Sequence, residues 1–344
     1  MEKHSMRHLL WTALFLLYCS CGCLAAVVQQ LPQKGESALQ AYTVSDTPEE
    51  WHPIRIAVYT KFVEDIVNKC KKQRSESDSN PTHNVEFCRG DNEMTTEKMN
   101  TLFKDVLPKA IKLHTDRLKV KQVEKSQNTR SAEVNLLPEK CRAIKGNPLG
   151  KAKKIPDVDF MIYVGLSDEP KNVEICTQDN ENRPTSAVIS FIPKEINATR
   201  QYIRLTAHEI AHGLGIQHDL MKGLFMINER SDDLLRDEKL NGRNKFYMNS
   251  TKFVDVLKKH YNCGDGEANT VKGLYLENEG EDHEKPSHWE RRIAKDELMS
   301  TYIGEASGMY YSALTLAAFH SMPFYSANSL VRMCYLIVVP RLST

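Results

Sequence analysis

The stretch that decides the fold runs from residue 206 to residue 215 and reads Thr206-Ala207-His208-Glu209-Ile210-Ala211-His212-Gly213-Leu214-Gly215. Its two histidines are four positions apart, so on an α-helix they lie one turn apart on the same face. Both imidazoles can then reach one zinc ion, and Glu209 projects beside them. Zinc lowers the pKa of a bound water to ~7, and Glu209 is placed to take its proton and pass it to a leaving amine. The pattern His-Glu-x-x-His therefore predicts His208 and His212 as zinc ligands and Glu209 as a catalytic residue.

The residues around this motif are spaced as in an amphipathic helix from about 199 to 214. Its apolar stripe consists of Ile203, Ala207, Ile210 and Leu214. These residues follow the ~100° rotation per residue of an α-helix, and the two motif histidines fall on the other side. Gly215 supplies a helix stop and allows a sharp turn, so that a third ligand can arrive from outside the helix. The alternative is a pair of surface histidines on an ordinary amphipathic helix.

Spacing alone selects His218 as the third ligand. It completes the longer pattern His-Glu-x-x-His-x-x-Gly-x-x-His, which begins at His208. The alternative for His218 is a polar residue that leaves the helix without binding metal.

The N-terminus has the pattern of a secretory signal peptide. Lys3 and Arg7 precede an apolar run over residues 9–18, and small residues follow. This run is too short to span a bilayer, and no later segment is long enough. We therefore predict a secreted, extracellular protein without a transmembrane segment, with a signal peptide over residues 1–26 and a short pro-segment or linker over 27–50.

Composition and cysteine usage agree with a secreted globular protein. Hydrophobic residues make up 41% of the 344 residues and charged residues 26%, with a formal net charge of +1 that favours neither nucleic acid nor anionic membranes as partners. Of the nine cysteines, three fall in the signal region, and the even remainder predicts disulfides in an oxidising compartment. Two sequons, at Asn197 and Asn249, predict N-glycosylation.

Hydrophobic patterning predicts both strands and further helices. Strands are predicted at Pro53–Thr60, Asp159–Leu166 and Ala187–Ile192. Helices are predicted at Thr95–Leu118, Lys252–Tyr261 and Tyr311–His320. Pro108 must interrupt or kink the first of these helices, because it lacks a backbone N–H.

The chain resembles leishmanolysin and its animal relative invadolysin over roughly residues 50 to 325. The resemblance is carried by Ile54–Val58, Leu113–Leu118, Thr206–Gly215, and Ser287–Trp289 leading to Asp296–Met299. The last two stretches are the most diagnostic, because they contain the histidine motif and the Asp-Glu-Leu-Met segment.

The resemblance implies a different third ligand from the one that spacing selects. In that family an insertion separates the helix from the third histidine, which stands shortly before an Asp-Glu-Leu-Met segment. Carried over, His288 is the third zinc ligand, Met299 is the methionine of the turn beneath the metal, and residues 219–287 are the insertion. The alternative for His288 is a loop histidine that binds no metal, and the alternative for Met299 is an ordinary core side chain.

The resemblance also implies two disulfides, Cys70 with Cys88 and Cys141 with Cys176. The chain departs from the family in two places. Residues 27–50 contain no cysteine, whereas the family has a long pro-segment with an inhibitory cysteine. The C-terminal end no longer resembles the family after Tyr325, as expected of a truncated or alternatively spliced chain.

The fold that the resemblance implies is α+β, of the metzincin type within the zincins. A twisted mixed sheet, including the strands near Ile54, Ile162 and Ile189, is expected to pack on the zinc helix. We predict an N-terminal catalytic subdomain over 51–215 and a smaller subdomain over 216–325 that carries the insertion, the third ligand and the methionine turn. A divergent tail over 326–344 follows.

The function that the resemblance implies is a secreted metalloendopeptidase with one Zn²⁺ per chain, which hydrolyses extracellular polypeptides. One alternative is a catalytically inactive binding or adhesion protein that keeps the zinc fold. The intact Glu209 argues against it, because a pure metal scaffold does not need that carboxylate. A second alternative is an inactive product of a truncated transcript.

Overall fold

The computed structural model describes residues 51–75, 86–121, 141, 158–170, 172–230, 245–261, 271–277, 287–301 and 308–327. The predicted signal peptide and the predicted pro-segment or linker lie outside these residues, as does the predicted tail beyond residue 327. The two cysteines outside the signal region that were assigned to no pair, Cys263 and Cys334, also lie outside the described residues.

Helices and strands are mixed along the described chain, as expected of an α+β fold. The helical segments are α1 (Lys61–Ser75), α2 (Thr96–Asn100), a π-helical segment (Thr101–Val106), α3 (Leu107–Thr115), α4 (Arg200–Gly213), α5 (His218–Gly223), α6 (Thr251–His260), α7 (Arg291–Ala294) and α8 (Ala313–Ser321). The strands are β1 (Trp51–Pro53), β2 (Ile56–Tyr59), β3 (Leu118–Lys121), β4 (Phe160–Leu166), β5 (Glu174–Gln178), β6 (Pro184–Phe191), β7 (Ile227–Arg230), β8 (Lys245–Met248), β9 (Leu274–Tyr275) and β10 (Tyr325–Ala327).

The main sheet has four strands in the order β2-β4-β6-β5. The first three are parallel, and β5 is antiparallel to β6 at the edge, so the sheet is mixed as predicted. Every residue of β4 is buried, because both faces of the sheet are covered. Ile162 faces the large core, whereas Met161 and Tyr163 face a smaller cluster that contains the Cys141–Cys176 disulfide. This alternation is the period of two expected of a strand.

Helix α4 packs against the main sheet, which confirms the predicted arrangement of sheet and motif helix. The contact is tight at Gly213, the last residue of the helix. A Cβ at this position would lie 3.1 Å from the Cβ of Ala187 and 3.2 Å from the Cζ of Phe160. Glycine therefore lets the end of α4 approach strands β4 and β6 more closely than any other residue would.

The single strand predicted at Pro53–Thr60 is wrong. Its beginning belongs to β1, which pairs with β3 in a second sheet of order β1-β3-β10, and its end belongs to β2 of the main sheet. The chain changes sheets at Ile54 and Arg55, since the backbone N–H of Ile54 donates to Leu118 and that of Arg55 to the Asp159 carboxylate. Apolar alternation continues through this point, so periodicity alone does not reveal the change.

The helix predicted at Thr95–Leu118 is present but divided. Thr95 caps α2, the π-helical segment follows, and α3 begins immediately before Pro108. Proline has no N–H to donate to the residue four positions earlier, and a wide π turn accommodates this missing hydrogen bond. The predicted interruption at Pro108 is thus observed as a change of helix type directly before it.

The second half of the chain contains a sheet that the sequence did not predict. Strands β7, β8 and β9 form an antiparallel sheet between α5 and the third-ligand region, where one helix was predicted. That helix is present as α6, and it packs on α8. Helix α8 is buried from Leu314 to Phe319, as its uniformly apolar sequence predicts.

Two further features bear on the predicted boundaries and bonds. Both disulfides that the resemblance implied are present, Cys70–Cys88 and Cys141–Cys176. Strand β10 pairs with β3 and crosses the boundary that we predicted after Tyr325. Within the part of the chain that the structure describes, no helix is long and apolar enough to span a membrane.

Candidate metal centre

Three histidine side chains converge in the structure: His208 and His212 on α4, and His288 before α7. The Nε2 atoms of His208 and His212 lie 3.1 Å apart, and each lies 3.0–3.1 Å from the Nε2 of His288. The two helical histidines are buried and His288 is half-buried. Three ring nitrogens therefore converge on one location.

Backbone carbonyls fix the rings of the two helical histidines. The Nδ1 of His208 donates to the carbonyl oxygen of Leu298 at 2.6 Å, and the Nδ1 of His212 donates to that of Ile216 at 2.6 Å. A carbonyl oxygen only accepts, so the Nδ1 atoms carry the protons. In a neutral imidazole the Nε2 lone pair then remains available for a metal.

The electrostatics of His212 support a neutral ring. Burial lowers its pKa well below the usual value, and the neighbouring His208 and His288 lower it further, whereas the Ile216 carbonyl acts in the opposite direction. Three nitrogen lone pairs about 3 Å apart repel one another unless a cation lies between them. Ligands at ~2.05 Å from a tetrahedral zinc ion are ~3.3 Å apart, close to the observed separations. The donor set therefore fits a zinc ion.

Glu209 lies next to the first histidine on α4 and is half-buried. Burial raises the pKa of its carboxyl to about 7. A carboxyl with such a pKa takes up and releases a proton near neutral pH.

Long-range backbone pairing positions His288. Its carbonyl oxygen accepts from the N–H of Glu277, which ends the β9 region. The next residue, Trp289, donates its N–H to the carbonyl of Met299 at 2.8 Å and forms a bridge with Ser300. The histidine is therefore held between a strand that precedes it and a turn that follows it.

This turn also supports the helical half of the site. Met299 is fully buried, and the preceding Leu298 provides the carbonyl that accepts from His208. The N–H of Leu298 donates to Tyr310 at 2.8 Å, so the turn is anchored on both sides. The predicted turn methionine thus lies in a segment whose backbone contacts one of the converging histidines.

The structure separates His218 from the three converging histidines. His218 begins α5, its Nδ1 lies 3.2 Å from Asp219, and its buried ring packs edge-on against Phe246. Its N–H donates to the Ser287 hydroxyl, which ties the start of α5 to the segment that carries His288. The structure therefore brings His288 to the site and does not bring His218 there.

Comparisons with known proteins identify the family of the chain. A family model described as Leishmanolysin matches residues 14–332. The chain belongs to the leishmanolysin family of peptidases. Leishmanolysin of Leishmania chagasi is 29% identical over 288 residues, covering 81% of this chain and 44% of the relative. A leishmanolysin homolog of Crithidia fasciculata is 28% identical over 285 residues, covering 81% of this chain and 41% of the relative.

An animal relative is also similar over a shorter region. A ciliated left-right organizer metallopeptidase of Xenopus laevis is 25% identical over 196 residues, covering 52% of this chain and 26% of that protein. The chain spans less than half of the length of the leishmanolysins that it matches. The resemblance inferred from the histidine motif and the Asp-Glu-Leu-Met segment is confirmed.

Sequence reasoning missed several buried polar residues around this leishmanolysin-like centre. His114 contacts the carbonyl of Ala207, and Glu297 and Thr315 lie against the turn that contains Met299. The only available signal was that His114 and Glu297 fall within stretches that resemble the family. Their contacts depend on the tertiary fold and are not visible in any local pattern.

The two sequons differ in their surroundings. Asn197 is exposed, and its side-chain oxygen accepts hydrogen bonds from the backbone N–H and the hydroxyl of Thr199, the N-cap of α4. Asn249 is half-buried, and its backbone N–H donates to Met226.

Proposed function

We propose that this chain is a zinc-dependent metalloendopeptidase that hydrolyses peptide bonds of extracellular polypeptides. The observation that carries the proposal is the convergence of the Nε2 atoms of His208, His212 and His288, with Glu209 next to His208 on helix α4. Three protein ligands, and not four, are typical of catalytic zinc sites.

The three histidines would hold the zinc ion, and Met299 would occupy the turn that supports them. When bound, zinc supplies a Lewis acid that polarises a carbonyl and lowers the pKa of water to ~7. His208 and His212 keep their orientation because their Nδ1 protons are held by backbone carbonyls. These contacts fix both rings before a metal binds, which favours tight binding.

Glu209 would move the proton during hydrolysis. Glu209 follows His208 directly in helix α4, and burial raises the pKa of its carboxyl to about 7. It would accept a proton from the attacking water and return it to the nitrogen of the leaving amine. A purely structural metal site has no need of a carboxyl group at this position, which supports a catalytic role.

Strand β5 offers a surface for an extended substrate. It is one of the two edge strands of the main sheet, and it pairs only with β6 among the described strands. Val173, directly before β5, lies near Gly213 at the end of α4, and its carbonyl accepts from the Gln217 side chain at 2.9 Å. A peptide added along this edge would be recognised through its backbone, which supports acceptance of many polypeptides.

Secretion is part of the proposal. The signal-like N-terminus, the two disulfides and the exposed sequon at Asn197 support an oxidising, extracellular location. We propose glycosylation at Asn197 and at the less accessible Asn249.

The test measures zinc content and peptide hydrolysis of the secreted protein beside its Glu209→Gln variant. We expect one zinc per chain in both proteins and a fall in kcat/KM of about 10²- to 10⁴-fold in the variant, because an amide cannot accept the proton. Glu97→Gln, at an exposed position on α2, is the matched control and should keep full activity. Zinc without hydrolysis in the wild type would favour the binding-protein alternative, and unchanged turnover in Glu209→Gln would refute the assigned role.

A further inference from the structure

A row of three buried polar side chains connects the third-ligand segment to the turn beneath the site. The indole Nε1 of Trp289 donates to the Thr315 hydroxyl at 3.3 Å, and that hydroxyl donates to the Glu297 carboxyl oxygen Oε2 at 2.5 Å. The exposed fractions of these residues are 0%, 0% and 6%. Polar groups at such depth require hydrogen-bond partners, so the row is a defined arrangement and not a chance contact.

The chemistry of the three groups gives the row one direction. An indole N–H can only donate, and the carboxyl oxygen Oε2 accepts here, so only a hydroxyl between them can satisfy both. Replacing the Thr315 hydroxyl by a methyl group would leave the buried indole N–H without a partner and would remove a hydrogen bond from the buried Glu297 carboxyl. Thr315 is therefore the central member of the row.

Each end of the row lies next to a residue that is a proposed ligand or that holds one. Trp289 follows His288 directly in the chain. Glu297 precedes Leu298, whose carbonyl oxygen accepts from the Nδ1 of His208 at 2.6 Å. The row therefore restrains one ligand from each half of the metal centre.

A second link reaches helix α4 from the same side of the molecule. The hydroxyl of Tyr311, one turn before Thr315, lies 3.1 Å from the Nδ1 of His114. The Nε2 of His114 donates to the carbonyl of Ala207 at 2.9 Å, directly before the first ligand. The segment that includes α8 is thus linked to both halves of the site, and its link to α4 passes through His114.

The Glu297 carboxyl acts in this row as a hydrogen-bond acceptor and not as half of an ion pair. Among the residues that the structure describes, no lysine, arginine or histidine forms an ion pair with it, and its Oε1 has no hydrogen-bond partner. Burial raises the pKa of this carboxyl to about 7, while the Thr315 hydroxyl and nearby backbone N–H groups act in the opposite direction.

We propose that Thr315 and Glu297 are positioning residues that set the affinity and the coordination geometry of the metal centre through His288 and Leu298. This inference rests on the proposed zinc site. The hydrogen bond between Thr315 and Glu297 would hold the segments that carry the ligands. In metal sites, loss of such a supporting contact lowers metal affinity about 10- to 100-fold.

The experiment measures zinc affinity of the full-length protein by competition with a chromophoric chelator, for wild type, Thr315→Val and Thr315→Ser. We expect Thr315→Val to bind zinc about 10- to 100-fold more weakly and Thr315→Ser to lie within about threefold of wild type. The visible absorption of the Co²⁺-substituted proteins should change in Thr315→Val and not in Thr315→Ser. A merely structural role would lower the unfolding midpoint without changing this spectrum.

Two further variants keep the proposal open to refutation. Ser321→Ala removes a hydroxyl from the same helix, where it donates to Ala317, and should leave zinc affinity unchanged. Glu297→Gln keeps an oxygen that accepts from Thr315, so it should lie within about threefold of wild type. If Thr315→Val does not fold, Trp289→Phe interrupts the row from its other end and should weaken zinc binding in the same direction.

The outcomes distinguish this inference from the proposed function. Wild type without zinc would overturn both. Zinc affinity of Thr315→Val equal to that of wild type, or a loss in Ser321→Ala as large as in Thr315→Val, would overturn the positioning role and leave the zinc site standing. A loss of zinc affinity in Glu297→Gln as large as in Thr315→Val would show that the charge of the Glu297 carboxylate, and not its hydrogen bond with Thr315, sets zinc affinity. That result would also overturn the positioning role of the row.

Discussion

The two halves of the candidate metal centre are built in different ways. Helix α4 supplies His208, Glu209 and His212 within five consecutive positions, so the helical repeat alone puts them on adjacent faces. The other half supplies His288, which is 76 positions from His212 along the chain. The backbone groups of Glu277 and Met299 hold its segment on either side.

The fate of the two candidate third ligands shows what this difference means. His218 satisfies the compact spacing, yet Gly215 turns the chain and a new helix begins at His218, which directs its ring towards Phe246. A ligand on the same helix is determined by local geometry, whereas a ligand after a turn depends on what the rest of the chain does. Spacing rules therefore predict the candidate ligands within α4 and do not predict a ligand beyond the end of that helix.

The largest effect is expected from a direct comparison of the two histidines. His288→Ala removes one of the three proposed ligand nitrogens. Loss of a contact that only supports a ligand lowers metal affinity by at most about 100-fold, so loss of the ligand itself should lower zinc affinity by more than this. His218→Ala removes a buried ring outside the cluster, and zinc affinity should remain within about threefold of wild type even if stability falls. Zinc stoichiometry and chelator competition on both variants provide the measurement.

The reverse result would break the comparison between the halves. Loss of zinc in His218→Ala alone would mean that the compact spacing governs the site. Loss in both variants to the same degree would mean that the buried ring of His218, which packs against Phe246, is needed to hold α5 and the third-ligand segment in place.

The local half was predictable from the sequence. The helix expected over residues 199 to 214 is observed as Arg200–Gly213 with Thr199 as its N-cap, because capping, an apolar stripe and a terminal glycine all agree. The strands near Ile162 and Ile189 were also predictable, since long runs of buried apolar residues have few alternative structures.

The long-range half was predictable only through the family resemblance. The sheet of β7, β8 and β9 was missed, because strands of two to four residues give too short a pattern. The buried contacts of His114 and Thr315 were missed for a different reason. A buried polar residue is recognisable only once its partners are known, and those partners lie 93 and 18 positions away.

A medium effect is expected from His114, which braces the helical half. Burial lowers the pKa of His114 from 6.5 to about 4, so folding favours its neutral form. The stability that this provides is fully present above the unfolded pKa and is lost as pH falls from 6.5 towards 4. Between pH 7.5 and pH 4.5 we expect the wild type to lose about 2–3 kcal/mol of unfolding free energy from this group.

The His114→Gln variant isolates this contribution in urea unfolding at both pH values. The variant should be less stable at pH 7.5, and the gap to wild type should narrow at pH 4.5, because glutamine does not titrate. Metal release affects both proteins, so the difference between them reports on His114. An equal gap at both pH values would show that His114 supports α4 by packing alone.

The smallest effect is expected where the helical half ends. Gly215 has a φ of +123°, and a Cβ there would lie 2.8 Å from the Cδ2 of Leu220. Gly215→Ala should therefore lower the unfolding free energy by about 1–2 kcal/mol. Gly223→Ala is the matched control, since no atom lies within 4 Å of its added Cβ, and it should be neutral or slightly stabilising.

Zinc affinity of the same two variants sharpens the comparison further. Residue 215 directly precedes Ile216, whose carbonyl holds the Nδ1 of His212 at 2.6 Å. If Gly215→Ala lowers stability and also weakens zinc binding, the local half depends on the turn that follows it and is less self-contained than its helical spacing suggests. If stability falls while zinc affinity stays the same, the i, i+4 geometry of α4 is sufficient to hold its two ligands, and only the third depends on the distant parts of the chain.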